Sequence, residues 1–178
     1  MTNCRFQHNP DLPTPSELLP HRPPMMLISG VLDAQDKSVR TFVQIGPAHA
    51  LFLDEKGCAS PSLLLELMAQ TVGCWAGLAE RREGQKPRIG FLLGTRRFDC
   101  RPEPLPAGMV IVLESTCTFY AQDDLPTQFE CFAYDAGGRE LARTTLTAYM
   151  PRDLSRFTGR SGSGSGAPQA GSTPGDKQ

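Results

Sequence analysis

The sequence predicts an α+β domain in which a curved antiparallel sheet wraps one long central helix. Three observations carry that expectation: a single long stretch with helix signals from Ser60 to Arg82, two β-prone stretches before it, and four more after it, divided by turn-rich segments. Strands in two groups around one apolar helix suit a helix packed against a single antiparallel sheet.

Taken in order, Pro10, Pro13 and Pro15 favour an extended approach to the short segment Ser16 to Leu19, which Pro20 ends. Met25 to Leu32 is apolar and β-prone. Ser38 to Ile45 alternates, with Val39, Thr41, Val43 and Ile45 on one side and Arg40 and Gln44 on the other, the period of a half-buried strand. These two read as paired strands punctuated by Gly30, Ala34 and Asp36. In the helix, Ser60 is the expected N-cap, Pro61 the first helical residue, and Arg81 and Arg82 lie where cations suit the helix dipole. Leu63 to Leu78 is apolar or small on nearly every side, interrupted by Glu66 and Gln70, so this helix must be enclosed. The later strands are expected at Arg88 to Phe98, Met109 to Tyr120, Gln128 to Tyr134 and Arg139 to Met150, separated by RPEPLPAG, QDDLP and DAGG, as an antiparallel meander. A sheet over one helix leaves an edge and an apolar face, which dimerisation would close.

The chain has 178 residues, 39% hydrophobic, with 18 Lys and Arg against 19 Asp and Glu for a net charge of −1, which suits one soluble domain. Its 17 Gly and 16 Pro concentrate at the ends. They divide the chain into an extended Pro-rich leader at 1–17, a domain at 18–158, and a Gly/Ser-rich tail at 159–178 whose composition predicts flexibility. No apolar run reaches the roughly 18 residues of a membrane span, and the N-terminal stretch lacks signal-peptide character, so a cytoplasmic protein is expected. Near-zero net charge removes the bulk electrostatic argument for nucleic acid. The six Cys (4, 58, 74, 100, 117 and 131) contain no CxxC pair, so neither a metal site nor a disulfide framework is expected.

Among residues able to carry chemistry, Glu66 interrupts an apolar helix, with Gln70 four residues on and Gly73 and Gly77 on the same stripe. An unpaired carboxylate there would be costly, which marks either a functional group or a Glu satisfied by backbone donors with the glycines serving close packing. Acid/base work calls for a partner, usually His. His8 lies in the leader and is set aside; His49 follows the second strand in GPAHALF near the helix start; His21 lies in the turn of LLPHRPPM. Arg81, Arg82, Lys86, Arg88, Arg96, Arg97 and Arg101 form a basic run that is either a solvated face or a docking patch for an acidic partner. Trp75, Phe91 and Leu92 line either the core or a tunnel, and Cys74 reads as packing.

LLPHRPPMMLISGVL (Leu18 to Leu32) resembles the opening of the hot-dog-fold 3-hydroxyacyl-[acyl-carrier-protein] dehydratases of the FabZ and FabA type, and ELMAQTVGCWAG (Glu66 to Gly77) resembles their central helix. LFLDEKG, ELMAQ and RIGFLLGTRRF are similar to the ApeP-type branch associated with aryl polyene and related lipid biosynthesis. The resemblance covers Leu18 to Asp153 and implies a hot-dog fold, usually dimeric, with the active site at the interface. It also implies cofactor-free loss of water from a 3-hydroxyacyl group held on the phosphopantetheine of an acyl carrier protein, giving a trans-2-enoyl thioester. The partners implied are that carrier protein and a second copy or a related hot-dog subunit. Glu66 maps onto the acidic catalytic position. The family's His-Phe-Pro-Gly turn is absent, and placement beside the helix start favours His49 over His21 as the catalytic His. Pro61 has no N–H, so donors for the developing enolate oxygen are expected from Ser62 or Leu63, with Gln70 and Gly73 completing the substrate site. Two alternatives stand beside dehydration: a hot-dog acyl thioesterase, and a non-catalytic acyl-binding or partner subunit.

Overall fold

In a computed structural model, residues 6–120 and 125–151 are described. The tail expected at 159–178 and the end of the domain beyond 151 lie outside them. The elements are α1 (Pro15–Leu18), β1 (Gly30–Ala34), β2 (Ser38–Gln44), a 3₁₀ segment (Pro47–Phe52), β3 (Cys58–Ala59), α2 (Leu63–Arg82), β4 (Phe91–Cys100), β5 (Leu105–Pro106), β6 (Val110–Phe119), β7 (Thr127–Asp135) and β8 (Glu140–Tyr149). One six-stranded antiparallel sheet runs β1-β2-β6-β7-β8-β4, and β3 pairs with β5 in a small ribbon.

The expected strands are present, with two corrections of place. Met25 to Leu32 is not a strand throughout, since β1 begins only at Gly30. The backbone of the preceding residues bonds to side chains instead. Gln70 Oε1 accepts from the Leu27 N–H at 2.9 Å, and the His49 Nε2–H donates to the Leu27 carbonyl at 3.0 Å. Gly30 is therefore not loop punctuation but the first residue of β1; a Cβ there would sit 2.5 Å from a ring carbon of Phe42. The second correction concerns β4. It does not stand next to β6 in a four-strand meander: β6, β7 and β8 form the meander, and β4 closes on the far side of β8.

The helix also begins later than expected. Leu63 rather than Pro61 is its first residue and Ser62 its cap position, without a side-chain cap. Residues 60–65 form a tight lead-in, with the N–H groups of Leu63, Leu64 and Leu65 donating to the carbonyls of Ser60, Pro61 and Ser62. At about 1.5 Å per residue, the 20 residues of α2 run about 30 Å through the concave side of the sheet. Leu64, Leu67, Met68, Cys74 and Trp75 are buried in the core along with Phe129 of β7.

The side of α2 carrying Gly73 and Gly77 is covered by α1. Leu18 and Leu19 are fully buried against it. A Cβ on Gly77 would lie 2.1 Å from the Leu18 carbonyl oxygen, a backbone contact that requires glycine there, whereas one on Gly73 would meet only a Leu19 methyl, at 2.7 Å. The leader is part of this architecture rather than a detached lead-in. The Asn9 N–H donates to the Val31 carbonyl at 2.8 Å, and the Val31 N–H donates to His8 Nδ1 at 3.1 Å, so the leader covers the outer edge of β1. At the opposite end β4 has no further strand among the described residues, and Ile89, Phe91, Leu92 and Leu93 are exposed. One sheet edge is covered and the other is apolar and open.

Candidate active site

A cavity of about 250 Å³ lies where α2, the turn after α1 and the ends of β4 and β8 meet. Glu66, Gln70 and Gly73 enter it from the helix, His21 from the turn, and Phe91 and Leu92 from β4. The remaining wall is mostly apolar, chiefly Leu146 and Ala148 from the end of β8 and Met150 just beyond it, with Arg88 as its charged member. Leu146, Ala148 and Met150 were not singled out from the sequence, although their i, i+2, i+4 spacing marks one face of a strand.

Glu66 is half-buried in the first turns of α2. The Gln70 amide N–H donates to Glu66 Oε1 at 2.8 Å and to the Met25 carbonyl at 2.8 Å, while its oxygen holds the Leu27 N–H. Gln70 thus fixes the orientation of the carboxylate and ties it to the segment that follows His21. All three bonds are made by a side chain only 1% exposed, where each unmade bond would be costly. Gln70 positions Glu66; its polar atoms are spoken for.

The three histidines separate by their hydrogen bonds. His8 accepts at Nδ1 from Val31 and donates from Nε2 to the Leu12 carbonyl at 3.0 Å. His49 accepts at Nδ1 from the Gly46 N–H at 3.3 Å and donates from Nε2 to Leu27. It is buried and does not line the cavity. His21 Nδ1 is shielded from solvent and has no hydrogen-bond partner among the described residues. The turn that carries it is fixed by Pro20, by burial of Leu18 and Leu19, and by Arg22, whose guanidinium donates to the carbonyls of Leu19 and His21 at 2.8 and 2.6 Å. The structure therefore brings His21, not His49, to Glu66. Proximity to the helix start in sequence gave His49 its edge, and that proximity is spent on bracing the strand-like segment around Leu27.

Ser62 and Leu63 do not line the cavity either. Ser62 is exposed with its N–H directed to Ser60 Oγ at 3.3 Å, and Leu63 is buried with its N–H bonded to the Ser60 carbonyl. Gly73 does line it, but the space a side chain would take there is filled by Leu19. The basic run is largely neutralised. Arg81 pairs with Glu17, Arg82 with Asp36, Arg88 with Glu80 and Arg97 with Asp99. Arg101 donates to the Glu140 carbonyl. Burial pushes the Cys74 thiol up to about 12, which agrees with a packing role. No group of His, Cys, Asp and Glu able to hold a metal ion occurs among the described residues, and no helix there is long and apolar enough to cross a membrane.

The architecture is that of solved hot-dog proteins. The chain superposes with a TM-score of 0.74 and 25% identity on the dehydratase heterocomplex ApeI:P from Xenorhabdus doucetiae, over 82% of this chain and 96% of that one. It is also similar in fold to a virulence protein of Campylobacter jejuni (TM-score 0.59, 11% identity, 78% and 96% covered). A hypothetical thioesterase from Streptococcus pneumoniae, solved with coenzyme A, shares the fold too (TM-score 0.53, 14% identity, 68% and 84% covered). No curated protein matches the sequence significantly. A helix wrapped by a six-stranded antiparallel sheet defines the hot-dog fold. The ApeP-like family profile, described as ApeP dehydratase, matches residues 13–159, and the chain belongs to that family of dehydratases.

Proposed function

We propose that the protein removes water from 3-hydroxyacyl thioesters presented on the phosphopantetheine arm of an acyl carrier protein, in aryl polyene or related lipid biosynthesis. The observation that carries this reading is the convergence of Glu66 and His21 on one cavity, with the carboxylate oriented by Gln70 and the imidazole clear of the backbone bonds that occupy His8 and His49. In this reading His21 takes the proton from C2 of the acyl group, and Glu66 gives a proton to the departing C3 hydroxyl. The C2–H and C3–O bonds break, the C2–C3 double bond forms, and the products are water and a trans-2-enoyl thioester.

The related ApeI:P chains form a heterocomplex, and the uneven sheet edges of this chain support assembly of the same kind. The leader covers β1, whereas the end of the sheet at β4 presents an apolar run that also forms part of the cavity wall. A second hot-dog chain, identical or related, seated on that edge would complete the wall.

The test is incubation with a 3-hydroxyacyl carrier protein, followed by intact mass. The wild type should convert it to a species lighter by one water, with the thioester kept and Glu66→Gln inactive. Release of free carrier thiol without an enoyl product would make the protein a thioesterase, and no conversion by the assembled protein would leave it a non-catalytic subunit.

A further inference from the structure

A second cavity, about 770 Å³, lies farther along α2 between the helix, the turn after β1 and the ends of β6 and β7. It shares Ala76, Arg88 and Met150 with the Glu66 and His21 cavity, so the two adjoin there. Arg88 stands at the junction. Its backbone N–H donates to Glu80 Oε2 at 2.8 Å and its Nε to Glu80 Oε1, and Glu80 is buried. Two bonds from one carboxylate fix where the guanidinium sits, and no partner for its two terminal nitrogens is seen among the described residues. The far wall carries Trp75, anchored by its indole N–H to the Asp36 carbonyl at 3.0 Å and meeting Tyr120 edge to face at 6.2 Å.

The wall is mixed: Trp75, Tyr120 and Leu125 suit methylenes, while a methyl terminus would leave the polar groups at the Arg88 end unpaired. Among the described residues, the charged groups around the second cavity are Asp36, Glu80 and Glu83 against Lys37 and Arg88, an excess of acid that disfavours a negatively charged end. An uncharged oxygen suits it, because Arg88 still has donors while its charge is balanced by Glu80. Resting on the dehydratase reading above, we propose that Arg88 is a specificity-determining residue. It admits long acyl chains from the Glu66 and His21 cavity into the second cavity and favours chains whose distal part carries a neutral hydrogen-bond acceptor, such as a hydroxyl.

The test does not need turnover, because Trp75 is the sole tryptophan of the chain and lines the second cavity. Its fluorescence is titrated with pantetheine thioesters of 3-hydroxybutyrate, 3-hydroxydodecanoate and 3,12-dihydroxydodecanoate. The short thioester should leave emission unchanged. Both long ones should shift it saturably, the dihydroxy compound binding about three- to tenfold tighter, the worth of one added hydrogen bond. Ala79→Leu, which narrows only the second cavity, should weaken both long compounds relative to the wild type. The Glu80→Gln/Arg88→Met pair, chosen so that no buried charge is orphaned, should abolish the preference for the distal hydroxyl. A response to the short thioester equal to that of the long ones, or equal affinity for the two long ones in the wild type, overturns the proposal. Binding as described without dehydration would refute the dehydratase reading alone; dehydration without the long-chain response would refute only this inference.

Discussion

Gly77→Ala is the substitution that most sharply separates helix propensity from packing in this fold. In an isolated helix, alanine is favoured over glycine by about 1 kcal/mol. Here the added Cβ would lie 2.1 Å from the Leu18 carbonyl oxygen and 2.8 Å from its Cα and carbonyl carbon. All three are backbone atoms, so α1 itself must move by more than about 1 Å to reach ordinary contact. Overpacking of this kind costs about 1–3 kcal/mol. Set against the propensity gain, the net expectation is a loss of up to about 2 kcal/mol. Leu18 stands three residues before His21, so displacement of α1 should also move the imidazole and lower kcat. Gly73→Ala serves as the control. Its contact at 2.7 Å is with the far end of the Leu19 side chain, which can rotate, and the expected change is close to zero. Urea unfolding of both variants, with kcat measured on the folded protein, checks the pair. A Gly77→Ala protein as stable and as active as the wild type would refute the tight crossing of α1 over α2.

Other expectations follow from single side chains. Gln70→Ala leaves the buried Leu27 N–H without a partner, which should cost about 1–3 kcal/mol, while the carbonyl of exposed Met25 can turn to water. It should also lower kcat in the folded fraction by freeing Glu66. Native-state alkylation at pH 8 followed by peptide mass mapping should modify exposed Cys100 and spare Cys74 and Cys131, whose thiols burial pushes up to about 12 and about 11. In the turn between β7 and β8, the backbone N–H groups of Arg139 and Gly137 hold the Asp135 carboxyl below the ordinary aspartate value of 3.8. A carboxylate with a depressed folded value stabilises above the unfolded value and loses that contribution as pH falls through the folded one. Asp135→Asn should therefore be less stable than the wild type near neutral pH, with the difference shrinking in melts taken below about pH 4.

The helix and most strands were legible because their apolar periods are local properties of the chain. Glu66 was legible for the same reason: a carboxylate inside an otherwise apolar helix breaks the pattern at a point where no local explanation exists. What stayed hidden depends on contacts between distant segments. Met25 to Ile28 has strand-like composition, yet the backbone of Leu27 is satisfied by Gln70 and His49, both far along the chain. β4 follows the helix in sequence but pairs with β8, the last strand, which no local signal announces. The choice between the two histidines turned on the same kind of contact. His49 lies closer to the helix start in sequence, while its ring is committed to Gly46 and Leu27. His21 reaches the cavity because α1 folds back across two glycines.

The central claim is that Glu66 and His21 form the dehydrating pair. The most direct measurement is kcat for water loss from a 3-hydroxyacyl carrier protein, compared between His21→Ala and His49→Ala at matched folded concentration. The account predicts that His21→Ala lowers kcat by about 10²–10⁴-fold, the usual worth of a positioned acid or base. His49→Ala should lose stability through its orphaned backbone partners yet keep kcat in the folded fraction. A His21→Ala enzyme that turns over like the wild type, with His49→Ala inactive though folded, would contradict it.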